Sequence, residues 1–233
     1  MSEGDDRRVW IVTGGSSGFG WEISHAALSR GDRVVATARR AERLEDLVRE
    51  APERAHALAL NVTDPEGIRP AVDEVLERFG RVEVLVNNAG HGQVGAVEET
   101  TEEELRAIFD VHVFGPAALV RAVLPAMRRR GSGAIVQVSS FGGQVAYPGF
   151  SAYCATTFAL ERFSEVLAPE VAPFGVKVLI AEPGAFRTDF SGGALARSQS
   201  MPAYAESVGP TREMITGING TQPGDPAKPR KLS

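Results

Sequence analysis

The chain has 233 residues, of which 43% are hydrophobic and 24% are charged, and its formal net charge is −5. These values are typical of one soluble domain with a well-buried core, and an acidic balance without a basic stripe argues against nucleic acid as a partner. The polar N-terminus, the single Cys154 and the lack of an apolar run near the roughly 20 residues of a membrane helix give no sign of secretion or membrane anchoring. We therefore expect a cytoplasmic protein, and the histidine spacing indicates no metal site.

Short β-branched segments alternate with segments of helical spacing along the chain. The predicted strands are, in order, Val9–Thr13, Arg33–Thr37, Ala55–Leu60, Val82–Val86, Ala134–Val138 and Val176–Ala181. The predicted helices lie between them, at about 18–30, 41–50, 65–79, 101–129 and 151–172. Because nearly continuous apolar strands separated by helices form parallel sheets with both faces covered, the pattern predicts an α/β, doubly wound parallel sheet in a single domain of residues 1–233.

Local signals agree with these limits. Asp64 followed by Pro65 is a typical helix start, and Thr101 with Glu104 fits a capping box. Pro169 falls late in the last predicted helix, where an internal proline costs about 3 kcal/mol, so we expect a kink or an early helix end there. Residues 1–7 and about 221–233 are expected to be flexible.

A glycine-rich turn follows the first predicted strand and opens the first predicted helix. Gly14 permits the turn, while Gly18 and Gly20 let the backbone approach a pyrophosphate without an intervening Cβ. The helix N-terminus adds unpaired N–H groups and the positive end of its dipole. In this setting we predict that a nucleotide is bound by Gly14, Ser16, Ser17, Gly18, Phe19 and Gly20.

The end of the second predicted strand indicates which nucleotide is bound. An acidic residue there would hydrogen-bond the ribose 2′-hydroxyl of NAD, whereas this chain has Arg39 and Arg40. Two guanidinium groups suit a 2′-phosphate, so the sequence favours NADP(H) over NAD(H). The alternative, that both arginines are solvated surface charges, stays open, above all for Arg40.

Several spaced motifs then occur together. Asn87–Gly90 follows the fourth predicted strand, Ser140 follows the fifth, and Tyr153 comes thirteen residues after Ser140. With the glycine-rich turn and Pro183-Gly184, they strongly resemble the short-chain dehydrogenase/reductase family, in its compact single-domain branch, over about residues 8 to 190. The resemblance implies a Rossmann-type fold, a nicotinamide cofactor and hydride transfer on a carbonyl or an alcohol.

The resemblance also implies roles for individual residues. Ser140 would hydrogen-bond the substrate carbonyl oxygen, and Tyr153 would donate a proton to that oxygen during reduction or remove one during oxidation. Two hydroxyl donors at a developing oxyanion are a sound arrangement for this chemistry. The cofactor would be held by Asn61 and Val62 at the adenine, by Asn88, Ala89 and Gly90 at the adenine ribose, and by Pro183, Gly184 and Thr188 at the nicotinamide.

The chain departs from the family pattern at two candidate catalytic positions. Thr157 stands where the family has a lysine that binds the nicotinamide ribose and lowers the pKa of the tyrosine, and it brings no charge. His112 stands where the family has an asparagine that bends the helix and holds a water. His112 could partly replace the lost cation or open another proton path, or it could be a helix histidine bonded to a neighbouring carbonyl.

The C-terminal part is shorter than the family pattern, which ends in one more helix and a final strand. We therefore expect that Val176–Ala181 becomes an edge strand, which invites pairing or coverage by the tail. Residues 189–215 are expected to form a substrate lid, partly apolar through Phe190, Met201 and Met214, which hints at an apolar substrate. Relatives associate through the helices at 101–129 and 151–172, which suggests a homodimer or homotetramer.

These features lead to one main hypothesis and two alternatives. The main hypothesis is an NADP-dependent ketone or aldehyde reductase of weakened activity, because a protonated Tyr153 can serve reduction, whereas oxidation needs a base. The first alternative is a non-redox isomerase, cyclase or lyase that uses Tyr153, Ser140 and His112. The second is a catalytically inactive nucleotide-binding protein.

Overall fold

The computed structural model describes residues 7–228, in which a six-stranded sheet is flanked by helices. The strands of the sheet are β1 (Val9–Thr13), β2 (Arg33–Ala38), β3 (Ala55–Ala59), β4 (Val84–Asn87), β6 (Gly133–Val138) and β7 (Val176–Ala181). A separate pair consists of β5 (Gly92–Val94) and β8 (Leu195–Arg197). The α-helices are α1 (Gly18–Ser29), α2 (Glu45–Glu50), α3 (Pro65–Phe79), α4 (Glu102–Phe109), α5 (Gly115–Arg130), α6 (Ser151–Val171) and α7 (Ala205–Ile218).

The six strands are all parallel and lie in the order β3-β2-β1-β4-β6-β7. This order reverses between β1 and β4, so that a crevice opens beyond their carboxyl ends, where such sheets bind ligands. Each face of the sheet carries its own apolar core, one against α3, α5 and α6 and the other against α1 and α2. The predicted doubly wound, Rossmann-type single domain is confirmed.

Most helix limits follow local chemistry. Asp64 caps α3 through the backbone N–H of Glu66, and Gly80 ends that helix with a φ of 74°. The capping box between Thr101 and Glu104 is present at the start of α4. Pro169 lies inside α6, which continues to Val171, one residue short of its predicted limit, so the early helix end expected at this proline does not occur.

The helix predicted over 101–129 is interrupted. A π-helical turn at Asp110–Phe114 separates α4 from α5 and carries His112 inward. Gly115 then packs so tightly on the carbonyl oxygen of Val62 that a Cβ at this position would lie 2.5 Å from it. Such π turns are common at functional sites, because they change which side chains face a pocket.

The helical stretch Glu102–Arg130 is long and apolar enough to cross a membrane by length and composition. The sequence-based expectation that no segment reaches this limit is therefore wrong. More than half of its most apolar window is nevertheless buried inside the domain, as in the core helix of a globular protein.

β7 is the outer strand of the sheet in the part of the chain that is described, as the sequence predicted. Its side chains alternate between packed and exposed, and Leu179 is 49% exposed. Residues 221–228 do not pair with this edge: Gly224 pairs with Phe186, and Arg187 bonds Asp225 and the carbonyl oxygen of Gln222. Residues 221–228 thus make specific contacts although they were expected to be flexible, and residues 1–6 and 229–233 lie outside the described range.

Candidate active site

The glycine-rich turn between β1 and α1 needs glycine for two different reasons. Gly14 and Gly18 have φ values of 65° and 54°, in the left-handed region that disfavours side chains. Gly20 has ordinary backbone angles, but a Cβ there would lie 2.3 Å from the carbonyl oxygen of Gly14. The turn is thereby pressed against the start of α1, which leaves the helix N-terminus facing the crevice.

The N-terminus of α1 has no side-chain cap. Ser17 occupies the capping position without a side-chain hydrogen bond to the helix, and the first turn contains no acidic residue. Backbone N–H groups at Gly18, Phe19 and Gly20 therefore have no carboxylate competing for them, and the helix dipole favours an anion. This end of α1 fits the pyrophosphate of a dinucleotide.

The Asn87–Gly90 segment braces the centre of the sheet. The amide of Asn88 donates to the carbonyl oxygen of Thr13 at 2.9 Å, and the backbone N–H groups of Asn88 and Ala89 donate to the Thr13 hydroxyl at 2.9 and 3.0 Å. A Cβ on Gly90 would lie 2.9 Å from Nε2 of His112. The segment thus joins the glycine-rich turn on one side to His112 on the other.

The residues predicted to select and hold the adenosine part lie near the same strand ends. Arg39 and Arg40 are both exposed directly after β2, and neither forms an ion pair within residues 7–228. The Asn61 side chain accepts hydrogen bonds from Thr63 and is exposed, whereas Val62 is buried in the core. The structure leaves the two guanidinium groups available to a phosphate.

The residues expected at the nicotinamide end form the far wall of the crevice. Pro183 accepts a hydrogen bond from the backbone N–H of Phe141 at 3.3 Å, and Gly184 is exposed. The Thr188 side chain lies 3.3 Å from the position of a Cβ on Gly18, so it faces the glycine-rich turn directly. Phe19 and Phe186 also meet across the crevice, with ring centroids 4.9 Å apart.

Ser140 and Tyr153 come together at the end of β6 and the first turn of α6. The Ser140 hydroxyl oxygen accepts the N–H of Gly142 at 3.2 Å, and a Cβ on Gly142 would lie 3.1 Å from Cε1 of Tyr153. Burial raises the pKa of Tyr153 to about 12, although the nearby Ser140 side chain acts in the opposite direction. The phenol is therefore held as a proton donor at neutral pH.

Three rings surround the ring of Tyr153. Its centroid lies 5.4 Å from that of Phe190, 5.6 Å from that of His112 and 5.9 Å from that of Phe150. Phe190 stands at the start of the segment 189–215 predicted as a substrate lid, so this part of the segment lies against the Tyr153 ring. The surroundings are apolar and aromatic, which is the reason for the raised pKa.

His112 is buried with both ring nitrogens bonded. Nε2 accepts the backbone N–H of His91 at 3.2 Å, which places the ring proton on Nδ1, and Nδ1 donates to the Thr156 hydroxyl at 2.9 Å. Burial, aided by the nearby His91, lowers the pKa of His112 to about 3. The hypothesis that His112 replaces a missing cation is therefore not supported, because the ring is neutral at physiological pH.

Thr157 does not point its hydroxyl into the crevice. Its Oγ1 bonds the carbonyl oxygens of Tyr153 and Cys154, each at 3.1 Å, and the residue is buried. Among residues 7–228, the side chains that shift the pKa of Tyr153 are Ser140 and Cys154, and neither is a cation. In the same helical turn, the thiol of Cys154 lies near the carbonyl oxygen of Val145, and burial raises its pKa.

Comparison with known proteins identifies the family. Residues 8–198 match the family model described as short chain dehydrogenase. The chain belongs to the short-chain dehydrogenase/reductase family. It is therefore an oxidoreductase of that family, with a fold that binds a nicotinamide cofactor, and members of this family typically act on small molecules.

Individual relatives agree with this assignment. The chain is 40% identical to "Oxidoreductase BOA17" from Botryotinia fuckeliana (strain B05.10) over 222 residues, which cover 95% of this chain and 81% of that protein. A solved short-chain dehydrogenase from Streptomyces avermitilis is 61% identical, with a TM-score of 0.89, 94% of this chain covered and 80% of that one.

Solved relatives contain both forms of the nicotinamide dinucleotide. A metagenomic short-chain oxidoreductase in complex with NADP is 34% identical, with a TM-score of 0.73, 77% of this chain covered and 83% of that one. A further solved short-chain dehydrogenase/reductase that shares the fold is in complex with NAD. These complexes therefore do not determine which of the two dinucleotides this chain prefers.

Sequence reasoning missed one buried residue beside this short-chain dehydrogenase site. Glu161 of α6 accepts hydrogen bonds from the Ser139 hydroxyl and the Gln144 amide, both at 2.6 Å. The sequence did contain a signal for this residue. Glu161 lies on the buried side of α6 with Leu160 and Ser164, and a buried carboxylate needs hydrogen-bond partners. Among residues 7–228, no group of three or more His, Cys, Asp or Glu side chains is arranged to hold a metal ion.

Proposed function

We propose that this short-chain dehydrogenase is an NADP(H)-dependent oxidoreductase for a carbonyl/alcohol pair, working chiefly as a ketone or aldehyde reductase of weakened activity. The observation that carries the proposal is the placement of Ser140, at the carboxyl end of β6, in a turn that packs against the ring of Tyr153. When bound, the reduced cofactor supplies a hydride to the substrate carbon. The remaining requirement is a proton donor at the carbonyl oxygen.

Tyr153 and Ser140 meet that requirement together. Reduction builds negative charge on the carbonyl oxygen, and two hydroxyl donors placed beside it stabilise the charge. The phenol, with its pKa raised to about 12, starts in the protonated form and can transfer its proton as the charge develops. The Ser140 hydroxyl donates the second hydrogen bond to the carbonyl oxygen and orients it.

The same raised pKa explains why we propose weakened activity and a preferred direction. In this chain Thr157 supplies a neutral hydroxyl engaged with the helix backbone, and the buried His112 is neutral. Without a nearby cation the phenolate is poorly stabilised, which slows proton transfer in both directions. Oxidation is affected most, because it needs the phenolate as a base at the start.

The proposed preference for NADP(H) rests on Arg39 and Arg40. Both residues follow β2 directly, at a strand end that has no acidic residue, and both are exposed. If they bind the 2′-phosphate, Arg39→Ala should raise the KM for NADPH by about tenfold while leaving that for NADH nearly unchanged. Arg69→Ala, which removes an exposed arginine of α3, is the matched control. An equal effect of Arg39→Ala on both cofactors would contradict the preference.

Two further features belong to the proposal. The apolar rings of Phe150 and Phe190 beside the phenol favour an apolar carbonyl substrate. A homodimer or homotetramer through α5 and α6 is supported by exposed aromatic residues next to and on these helices, with Phe114 at 60% and Phe158 at 54% exposure.

The test is turnover of NADPH with a panel of ketones and aldehydes. We expect slow reduction that falls by about 10²-fold or more in Tyr153→Phe and by a similar factor in Ser140→Ala. Substrate conversion without loss of reduced nicotinamide absorbance would instead indicate a non-redox isomerase, cyclase or lyase. Tight nucleotide binding with no conversion of any carbonyl would indicate an inactive nucleotide-binding protein.

A further inference from the structure

Glu161 is a buried carboxylate that the proposed reaction does not use. It lies on α6, eight residues after Tyr153, and is 1% exposed. Its Oε1 accepts the hydroxyl of Ser139 and its Oε2 accepts the side-chain amide of Gln144, both at 2.6 Å. Each carboxylate oxygen thus binds one end of a single loop, residues 139–144, and Ser140 belongs to that loop.

Backbone packing ties the same loop to α6. A Cβ on Gly143 would lie 1.8 Å from Oε1 of Glu161, so only glycine lets the loop rest on this carboxylate. A Cβ on Gly142 would lie 3.1 Å from Cε1 of Tyr153. The loop therefore contacts the helix at the carboxylate and at the phenol ring, with Ser140 just before both glycines.

The position of Ser140 follows from the position of this loop. Its hydroxyl oxygen accepts the N–H of Gly142 at 3.2 Å, and its backbone oxygen accepts the N–H of Gly143 at 2.9 Å. A shift of the turn would carry the Ser140 hydroxyl with it. Misplacement of a reacting group by about 1 Å can cost on the order of 10²-fold in rate.

We propose that Glu161 is a positioning residue, which holds Ser140 against Tyr153 by binding both ends of the 139–144 loop to the helix that carries Tyr153. The inference rests on the function proposed above for Ser140 and Tyr153. Glu161 itself touches neither substrate nor cofactor, because its two oxygens face Ser139 and Gln144. Short hydrogen bonds to a buried carboxylate are among the strong ones, which makes the attachment stiff.

The first experiment compares three variants of the full chain. In Glu161→Ala we expect kcat for ketone reduction to fall by about tenfold or more, with the KM for NADPH changed by less than about twofold, because the carboxylate bonds Ser139 and Gln144 and not the glycine-rich turn. Glu161→Gln should recover most of kcat, since an amide can accept from Ser139 and pair with a rotated Gln144 side chain. Glu165→Ala, on an exposed face of the same helix, should behave as the unsubstituted chain.

A second measurement does not depend on activity. Cys154 is the single cysteine of the chain, and its sulfur lies under the loop, 3.6 Å from the carbonyl oxygen of Val145. Release of the loop should expose it, so we expect its alkylation by iodoacetamide to be about fivefold faster in Glu161→Ala and close to normal in Glu161→Gln. If the unsubstituted chain reduces no carbonyl, the proposed function fails, while the thiol rate still tests the attachment of the loop.

The inference is overturned if Glu161→Ala unfolds cooperatively and keeps both the kcat and the thiol rate of the unsubstituted chain. Should that variant fail to fold, Gln144→Ala takes its place, because Gln144 is exposed and the change removes one of the two bonds to Glu161, together with the bond from Gln144 to Glu182. We then expect a smaller loss of kcat together with faster alkylation. Unchanged values for both measurements in Gln144→Ala would also overturn the proposal.

Discussion

The imidazole of His112 meets the phenol ring of Tyr153 edge to face, with the centroids 5.6 Å apart and the ring planes at 76°. The imidazole is neutral, since burial lowers its pKa to about 3 and both of its nitrogens are bonded. Tyr153 thus has a neutral aromatic neighbour, which does not stabilise its phenolate. The pH behaviour of the protein should follow from this pairing.

The first prediction concerns alcohol oxidation by the unsubstituted chain. With the pKa of Tyr153 near 12, about one phenol in 10⁵ is ionised at pH 7, and this fraction rises tenfold per pH unit. We expect the oxidation rate with NADP to rise with a slope near one in a logarithmic plot from pH 7 to pH 10. Reduction should vary little over the same range. A plateau of the oxidation rate below pH 9 would contradict the raised pKa.

The second prediction concerns His112 and stability in mild acid. Because its pKa is near 3 in the folded protein and near 6.5 in the unfolded chain, the unfolded state binds more protons between these values. The contribution is fully present above pH 6.5 and is lost as the pH falls, on the order of 2 kcal/mol by pH 5. In His112→Asn the free energy of unfolding should therefore change less between pH 7 and pH 5. Equal slopes for both proteins in urea unfolding would argue against a buried neutral imidazole.

The third prediction is a gain of activity in Thr157→Lys. A cation one helical turn from Tyr153 should lower the pKa of the phenol, and about 1.4 kcal/mol of transition-state stabilisation raises the reduction rate tenfold. Thr157→Met is the matched control, because it adds a side chain of comparable length without charge. The measurement is kcat for ketone reduction at pH 7. No increase, or an equal increase with methionine, would favour a pocket with a different chemistry.

The fourth prediction concerns the attachment of α7 to the core. The buried Glu99 carboxylate accepts the backbone N–H groups of Ala96 and Met201, each at 2.7 Å, and pairs with Arg212 at 2.8 Å. These bonds lower the pKa of Glu99 from 4.5 to about 2, and the bond from the backbone N–H of Ala96 has the largest effect. The contribution of Glu99 to stability is thus fully present above pH 4.5 and is lost as the pH falls towards 2.

We therefore expect Glu99→Gln to lower Tm at pH 7 and the difference in Tm from the unsubstituted chain to shrink at pH 3. Glu103→Gln, an exposed acidic residue in the first turn of α4, is the control and should change Tm little at either pH. Thermal unfolding followed by circular dichroism checks both variants. A difference in Tm that is the same at pH 7 and pH 3 would contradict an ionised, hydrogen-bonded Glu99.

The sheet was largely predictable from the sequence, for a local reason. The apolar strand Val9–Thr13 occurs with the predicted limits, because burial on both faces leaves a continuous apolar run. The outer strand Val176–Ala181 also has its predicted limits, although its side chains alternate between packed and exposed. Helix caps such as Asp64 were equally predictable, because the cap and the N–H group that it binds lie within one turn of each other in the sequence. Errors of one or two residues remained where pairing with a neighbour sets the end, as for β4, which begins at Val84.

The proximity of Ser140 and Tyr153 was expected from the sequence, because Ser140 follows a strand of the parallel sheet and Tyr153 begins the next helix. The electrostatic state of His112 was not predictable, because it depends on burial, on the π-helical turn and on Thr156, which lies on a different helix. An imidazole that faced water would instead gain a proton in mild acid.

The order of apolar and polar residues and the glycine positions determined the fold class of this short-chain dehydrogenase, and its two hydroxyl side chains defined the candidate reaction centre. Only the tertiary structure decided which polar groups lose contact with water, and hence which ones are neutral, ionised or paired. Glu161 and Glu99 are examples. Their residue type does not distinguish them from the exposed acidic residues, whereas in the fold each side chain is buried and accepts at least two hydrogen bonds. The physical reason is that hydration and hydrogen-bond partners depend on residues distant in the chain, whereas helix and strand patterns depend on neighbours.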